Sequence, residues 1–237
     1  MDGIVRHMNQ QLILDISPAP SPTLDNFVIG SNQEVLNALL NCKPGRAIYL
    51  YGPPGVGRTH LLQAMAKQWH GLYFNANTPI TQLQKLASAE TITVPLIAID
   101  DVDKQTQLHQ AQVFALYNRW REVAATQKAF VLLIAGERAP LATPVREDLR
   151  TRLGWDLVFR LRLLSDEERA KALLTRSADR GLHLSPEVLK WVLTHYDRDM
   201  SQLIALIDAL DHYSLTRKRH ITLPLLRDLL AEGRLPS

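Results

Sequence analysis

The chain has 237 residues, 46% of them hydrophobic and 22% charged, which is ordinary for a soluble globular protein of one large domain or a medium and a small one. Its net charge of +3 is too modest to announce nucleic-acid binding, and no apolar run approaches the ~20 residues of a membrane span. One cysteine, Cys42, excludes an intrachain disulfide and a cysteine-rich zinc site, and the eight histidines are scattered, so a cytoplasmic protein with no membrane partner and no metal beyond a nucleotide's Mg²⁺ is expected.

In chain order, residues 1–8 read as disordered, and the first 20 lack the apolar core of a secretory signal. An isolated apolar run follows, Gln11-Leu12-Ile13-Leu14-Asp15-Ile16, and then the Pro- and Ser-rich linker Ser17-Pro18-Ala19-Pro20-Ser21-Pro22. Extended backbone puts Leu12 and Leu14 on one face and Ile13 on the other. Such a run is either an edge strand on this protein's own core or a tethered peptide for a partner's groove. The linker behind it argues for the peptide.

Four strand-like runs come next with helices between them: 47–51, Leu72 to Asn75, Leu96 to Ile99 and Phe130 to Ala135, with a fifth at Leu157 to Leu161. Strands alternating with helices predict an α/β fold, a parallel sheet covered by helices on both faces. From Ser165 the pattern turns to helices alone. Ser165-Asp166-Glu167-Glu168 is a capping box opening a helix through about Asp179. Ser185-Pro186-Glu187 starts a second helix. Asp197 is placed to cap a third, with Leu203, Leu206, Ile207 and Leu210 as its apolar face, and a short last helix follows Thr222. The basic run Arg217-Lys218-Arg219-His220 reads as a solvated helix end. The expected organisation is a tail over 1–22, an α/β nucleotide-binding base over 23–164 and a small helical lid over 165–237.

The chemistry concentrates in Gly52-Pro53-Pro54-Gly55-Val56-Gly57-Arg58-Thr59. An apolar strand, Ala47 to Tyr51, precedes it, and Leu61, Leu62, Met65, Ala66 and Trp69 recur at helical spacing behind it. Strand, glycine loop and helix, in that order, make a phosphate cradle: backbone N–H groups turn inward and the helix points its positive end at the anion. Thr59 is placed to hold Mg²⁺ through its hydroxyl. Arg58 stands where a lysine is usual, and a planar guanidinium follows a transferring phosphoryl group less well than an ammonium. ADP or ATP with Mg²⁺ is therefore expected here, without assured turnover. Leu96-Ile97-Ala98-Ile99-Asp100-Asp101 supplies the carboxylates: Asp100 for the Mg²⁺ shell, Asp101 to orient or activate water. Asp103 reads as the N-cap or first-turn acid of the next helix. Glu137, in Gly136-Glu137-Arg138 after the fourth strand, reads from the residues alone as a loop acid.

Assembled, these motifs resemble the AAA+ ATPases and, among them, the DnaA family of bacterial replication initiators with its shorter Hda-like members, over about Leu24 to Ala231. Leu24-Asp25-Asn26-Phe27-Val28-Ile29-Gly30-Ser31-Asn32 is similar to the stretch that opens the ATPase core and borders the adenine. The resemblance thus adds Val28 and His60 to the expected nucleotide contacts. Leu116-Tyr117-Asn118-Arg119 resembles the family's helix after the Walker B strand. Asp148-Leu149-Arg150-Thr151-Arg152-Leu153-Gly154-Trp155 is similar to the segment bearing the arginine finger. Asp197-Arg198-Asp199-Met200 resembles the lid segment with the sensor 2 arginine. Gln11 to Ile16 resembles a sliding-clamp-binding peptide. The Hda-like branch is favoured by that peptide, by arginine in the phosphate loop, and by a sequence that runs out soon after the lid.

The resemblance implies roles that spacing alone does not. Arg152 would be a finger inserted into a partner's site, with Arg150 its rival. Arg198 would reach this chain's own nucleotide. Gln11, Leu12, Ile13, Leu14 and Ile16 would dock on the sliding clamp loaded on DNA. The implied function is negative regulation of replication initiation, by stimulating ATP hydrolysis in the initiator DnaA in trans; a homodimer is a further expectation. Three alternatives stay open at this level: an autonomous ATPase or loader, a clamp or initiator adaptor without a finger, and a DNA-binding initiator paralogue.

Overall fold

The computed structural model describes residues 21–179, 181–196 and 199–232. The segment 11–16 and the residues Asp197 and Arg198 lie outside the described residues.

β1 (Ala47–Tyr51), β2 (Leu72–Phe74), β3 (Leu96–Ile99), β4 (Val131–Gly136) and β5 (Leu157–Arg160) form one parallel sheet in the order β2-β3-β4-β1-β5. The central strands read as unbroken apolar runs because both faces are covered. Alternate residues serve opposite layers. Ile48 and Leu50 pack with Val35, Leu36 and Leu39 of α1 (Gln33–Leu40) and with Leu61, Leu62 and Met65 of α2 (Arg58–Gln68). Ala47 and Tyr49 join the other layer, with Leu83 of α3 (Ile80–Ala87), Val113, Leu116 and Trp120 of α4 (Gln107–Val123) and Leu149 of α5 (Glu147–Arg152). The expected α/β sheet with helices on both faces is thus present.

Register sets the site. Tyr51 of β1 pairs with Gly136 of β4, and Ile99 of β3 pairs with Ile134 of β4. The chain therefore leaves the sheet at Gly52, Asp100 and Glu137 at about one level, on the carboxyl edge where ligands of open parallel sheets bind.

The boundaries differ from expectation where a residue turns out of the ladder. β2 stops at Phe74, because the Asn75 N–H donates to Thr78 Oγ1 at 3.0 Å and Asn75 Oδ1 accepts from the Asn77 N–H, building the turn into α3. Asp103 does not cap α4. It lies in a separate 3-10 turn, Val102–Lys104, and Thr106 is the cap, its Oγ1 accepting from the His109 N–H at 3.3 Å.

The described residues separate into two compact units, one spanning Ser21–Glu168 and the other beginning at Arg169. Across that boundary runs α6 (Asp166–Asp179), and its capping box is formed in both directions. The Ser165 N–H donates to Glu168 Oε2 at 2.8 Å and the Glu168 N–H to Ser165 Oγ at 3.1 Å. The second unit continues with α7 (Pro186–His195), capped by Ser185, then α8 (Met200–Arg217) and α9 (Leu223–Glu232). Leu203, Leu206, Ile207 and Leu210 are buried there with Val188, Val192, Leu225 and Leu229. Arg217 to His220 are all exposed at the end of α8. Among the described residues no helix is long and apolar enough to cross a membrane.

Candidate nucleotide-binding site

The loop from Gly52 to Thr59 joins β1 to α2, with Gly55 at φ 80° and Gly57 at φ 90°, backbone that a side chain would strain. A Cβ on Gly57 would also lie 2.7 Å from the Phe27 ring, so the glycine lets the segment around Phe27 close on the loop. The same segment is tied down by His60, whose Nε2 donates to the Thr23 carbonyl at 2.8 Å and whose ring lies 5.5 Å from that of Phe27. Val56 is buried beneath the loop and Val28 is half-buried.

Asp100, 1% exposed, anchors the corner beside the loop. Its Oδ2 accepts from Thr59 Oγ1 at 2.6 Å and from the Tyr73 hydroxyl at 2.9 Å, and its Oδ1 accepts from the Asp101 N–H at 2.9 Å. Burial and the adjoining Asp100 carboxylate hold the Tyr73 hydroxyl above the usual tyrosine range, so it remains a donor. Among the described residues no three His, Cys, Asp or Glu side chains gather to hold a metal by themselves. A Mg²⁺ bound by Thr59 and Asp100 would be completed by phosphate and water oxygens, which suits this ion's habit.

The corner beside it is crowded with charge. Arg58 is buried, 7% exposed, and its Nη2 stands 3.6 Å from Asp101 Oδ1 and 3.8 Å from Glu137 Oε1. Its Nη1 is buried without a hydrogen-bond partner. A buried guanidinium with an unused donor beside a glycine cradle fits a site for phosphate oxygens. Asp101 adopts left-handed backbone, φ 48° and ψ 47°, a conformation that aspartate tolerates better than most residues. Lys104 approaches the same two carboxylates, at 3.1 Å from Asp101 Oδ1 and 3.4 Å from Glu137 Oε1.

Asp103 completes the group, with Oδ1 buried and unpartnered. Burial raises its carboxyl above the ordinary value of 3.8, and the charges of Glu137 and Asp101 add to the rise. An acid raised on folding costs stability above its folded pKa and nothing below its unfolded one. Asp103→Asn is therefore expected to stabilise the fold near pH 7, by less than about 1 kcal/mol because the carboxyl is partly solvated, and so to raise the melting temperature. The gain should shrink as pH falls toward about 4. Thermal melts of both proteins at the two pH values check this.

A chain of buried amides leads away from the corner. Gln105 Nε2 donates to the Asp100 carbonyl at 3.2 Å, Gln110 Nε2 donates to the Gln105 carbonyl at 2.9 Å, and Gln110 Oε1 accepts from the Arg146 N–H at 2.9 Å. Arg146 opens α5, the short helix bearing Arg150 and Arg152. The Arg152 guanidinium stacks on the Phe114 ring at 3.9 Å and on the Trp155 ring at 5.0 Å, and its Nη1 is buried without a hydrogen-bond partner. Trp155 is 47% exposed.

Among the residues expected to bind nucleotide, the structure brings Gly52, Pro53, Gly55, Val56, Gly57, Arg58, Thr59 and His60 onto one loop and helix start, next to Asp100 and Asp101. Arg152 stands on a different element. Tyr73, Lys104, Gln105 and Gln110 are participants that sequence reasoning missed. Lys104 alone carried a signal, a cation three residues after Asp101.

Comparison with known proteins agrees with this geometry. A family model described as the Hda lid domain matches residues 166–230, and one described as the ATPase family associated with various cellular activities (AAA) matches residues 48–161. The chain is 30% identical over 236 residues to an uncharacterized protein of Haemophilus influenzae, covering 94% of this chain and 99% of that protein. This chain is an Hda-like AAA+ protein of the DnaA family.

Solved structures show the same fold. Domain III of the Thermotoga maritima replication initiation protein DnaA matches with a TM-score of 0.68 at 23% identity, over 92% of this chain and 99% of that one. The replication initiator DnaA bound to AMPPCP and single-stranded DNA matches at 26% identity with a TM-score of 0.60, over 84% of this Hda-like chain and 68% of that one. A Thermotoga maritima RuvB mutant shares the fold at 15% identity and a TM-score of 0.63.

Proposed function

We propose that this Hda-like chain is a cytoplasmic negative regulator of replication initiation. It holds ADP or ATP with Mg²⁺ in its own loop and acts on the nucleotide of the initiator DnaA. Arg58 and the N–H groups from Gly55 to Thr59 would bind phosphate, Thr59 and Asp100 the ion, and Phe27, Val28 and His60 the base end. The bound ion would supply charge neutralisation on the phosphates.

The observation that carries the reading is the state of Asp101. The carboxylate that would activate water lies between Arg58 and Lys104, so the site suits retention of a nucleotide better than its turnover. Arg152, on a surface helix beside the half-exposed Trp155, is the group to be offered in trans. Residues 11–16 would dock on the DNA-loaded sliding clamp, and a linked second contact then sees an effective concentration of about millimolar order.

The test is ATP hydrolysis by ATP-bound initiator with DNA-loaded clamp. Adding the chain should stimulate it strongly, and changing Leu12 and Leu14 to alanine should abolish both clamp binding and most of the stimulation. Hydrolysis that is indifferent to the chain would remove the regulatory reading. Rapid turnover by the purified chain alone would instead favour an autonomous ATPase, for which the intact Thr59–Asp100–Asp101 corner is the supporting observation.

A further inference from the structure

We propose that Lys104 is a positioning residue of the nucleotide site: a counter-charge that holds Asp101 and Glu137 so that Arg58 is free to engage phosphate. The inference rests on the reading of the Gly52–Thr59 loop as a nucleotide site and goes beyond it to a residue outside the loop and its partner strands' motifs.

The argument starts from the charges. Asp101, Asp103 and Glu137 bring three carboxylates to the edge of the phosphate loop, against the cations of Arg58 and Lys104. A nucleotide adds further negative charge at the same edge. Without compensation the carboxylates would repel the phosphates and compete with them for Arg58. The geometry shows how this is relieved. Lys104 stands closer to both carboxylates than Arg58 does, at 3.1 and 3.4 Å against 3.6 and 3.8 Å. Arg58 is within ion-pair range of each but outside hydrogen-bonding distance, and its Nη1 has no partner. The lysine holds the acids, and the arginine is left under-used.

The two cations also differ in mobility. Arg58 is buried in the first turn of α2, whereas the Lys104 side chain is 52% exposed on a 3-10 turn. An ammonium on a flexible stem can stay with Asp101 and Glu137 while the guanidinium turns to the phosphates. The lysine thus replaces, from the turn after β3, part of the charge that a phosphate-loop lysine brings.

The experiment is titration of the full chain with a fluorescent ADP analogue, comparing the parent with Lys104→Met, Lys104→Arg, Glu137→Gln and the double variant Lys104→Met with Glu137→Gln. Lys104→Met is expected to weaken binding about tenfold, less than a buried pair would because the site is partly solvated, and the difference should narrow as salt is raised. Lys104→Arg should bind within about threefold of the parent. The double variant should recover most of the loss, since removing the carboxylate removes the need for its counter-charge. A purely structural lysine would lower the melting temperature without this recovery or salt dependence. Equal affinities for the parent and Lys104→Met, or a double variant as weak as Lys104→Met, would overturn the proposal while leaving the nucleotide reading in place. A parent that binds no ADP would remove both, and that outcome is seen before any variant is compared.

Discussion

Arg152→Ala is expected to lower the stimulation of ATP hydrolysis in the initiator by about a thousandfold or more, the scale on which an arginine offered in trans acts on a phosphoryl transition state. The backbone beneath it is firmly held: Leu149 and Leu153 are buried on either side, and the α5 entrance is bonded through the Arg146 N–H. The guanidinium itself rests on Phe114 and Trp155. Leaving those rings costs about 1–2 kcal/mol for partly exposed cation–π contacts, small beside the roughly 4 kcal/mol that a thousandfold represents. Stacking therefore stores the side chain without barring its delivery. Arg152→Lys should rescue little, because an ammonium lacks the planar pair of donors. Arg150→Ala should reduce stimulation by less than about threefold, as a surface charge change does. Hydrolysis assays with initiator and loaded clamp decide between them; loss in Arg150→Ala with full activity in Arg152→Ala would transfer the role.

Arg58→Ala is expected to weaken nucleotide binding by two orders of magnitude or more. Two effects add. The phosphates lose a charge-assisted donor pair, of about 1.5–3 kcal/mol. They also then face Asp101 and Glu137 with one of two neutralising cations gone. Arg58→Lys should stay within about tenfold of the parent in affinity, and its more mobile charge should raise intrinsic hydrolysis. Titration with labelled ADP and a steady-state ATPase assay give both quantities. Parental affinity in Arg58→Ala would deprive the loop of its central side chain.

Much of the fold was legible because its signals are contiguous. β1, β3 and β4 are apolar runs, and the capping box at Ser165 and the cap at Ser185 each lie within four residues of what they bond. α1 was not legible, although Val35, Leu36 and Leu39 recur at helical spacing. Asn32 stands at its N-cap but makes no cap bond; it uses its amide on Arg162 instead, accepting from the N–H at 2.8 Å and donating to the carbonyl at 3.0 Å. The residue that draws it away, just past the end of β5, is 130 residues distant in sequence. The 3-10 turn that displaced Asp103 from α4 has no comparable local mark.

The site divides in the same way. Loop, Thr59, Asp100 and Asp101 follow from motifs read along one strand and its next turn. Tyr73 reaches Asp100 across 27 residues and Gln110 reaches Arg146 across 36, so no spacing rule announces either. Glu137 was read as a loop acid, and only the pairing of Tyr51 with Gly136 brings it to Arg58. Asn75, placed at the end of β2 by its apolar neighbours, turned out to belong to the turn that follows.

The three hydrogen bonds that lead from Asp100 to Arg146 bear on the aim proposed for Arg152. A group that must reach a reaction centre on another molecule has no second chance to be repositioned by its own active site, and an error of about 1 Å can cost a hundredfold in rate. Here the start of the helix that carries Arg152 is registered to the backbone carbonyl of Asp100 through two glutamine side chains that are themselves 4–5% exposed. Tolerance is confined to the rotations of one arginine side chain. Under the proposed role of Arg152, a partner docking against Trp155 would meet a fixed mount with a single moving part.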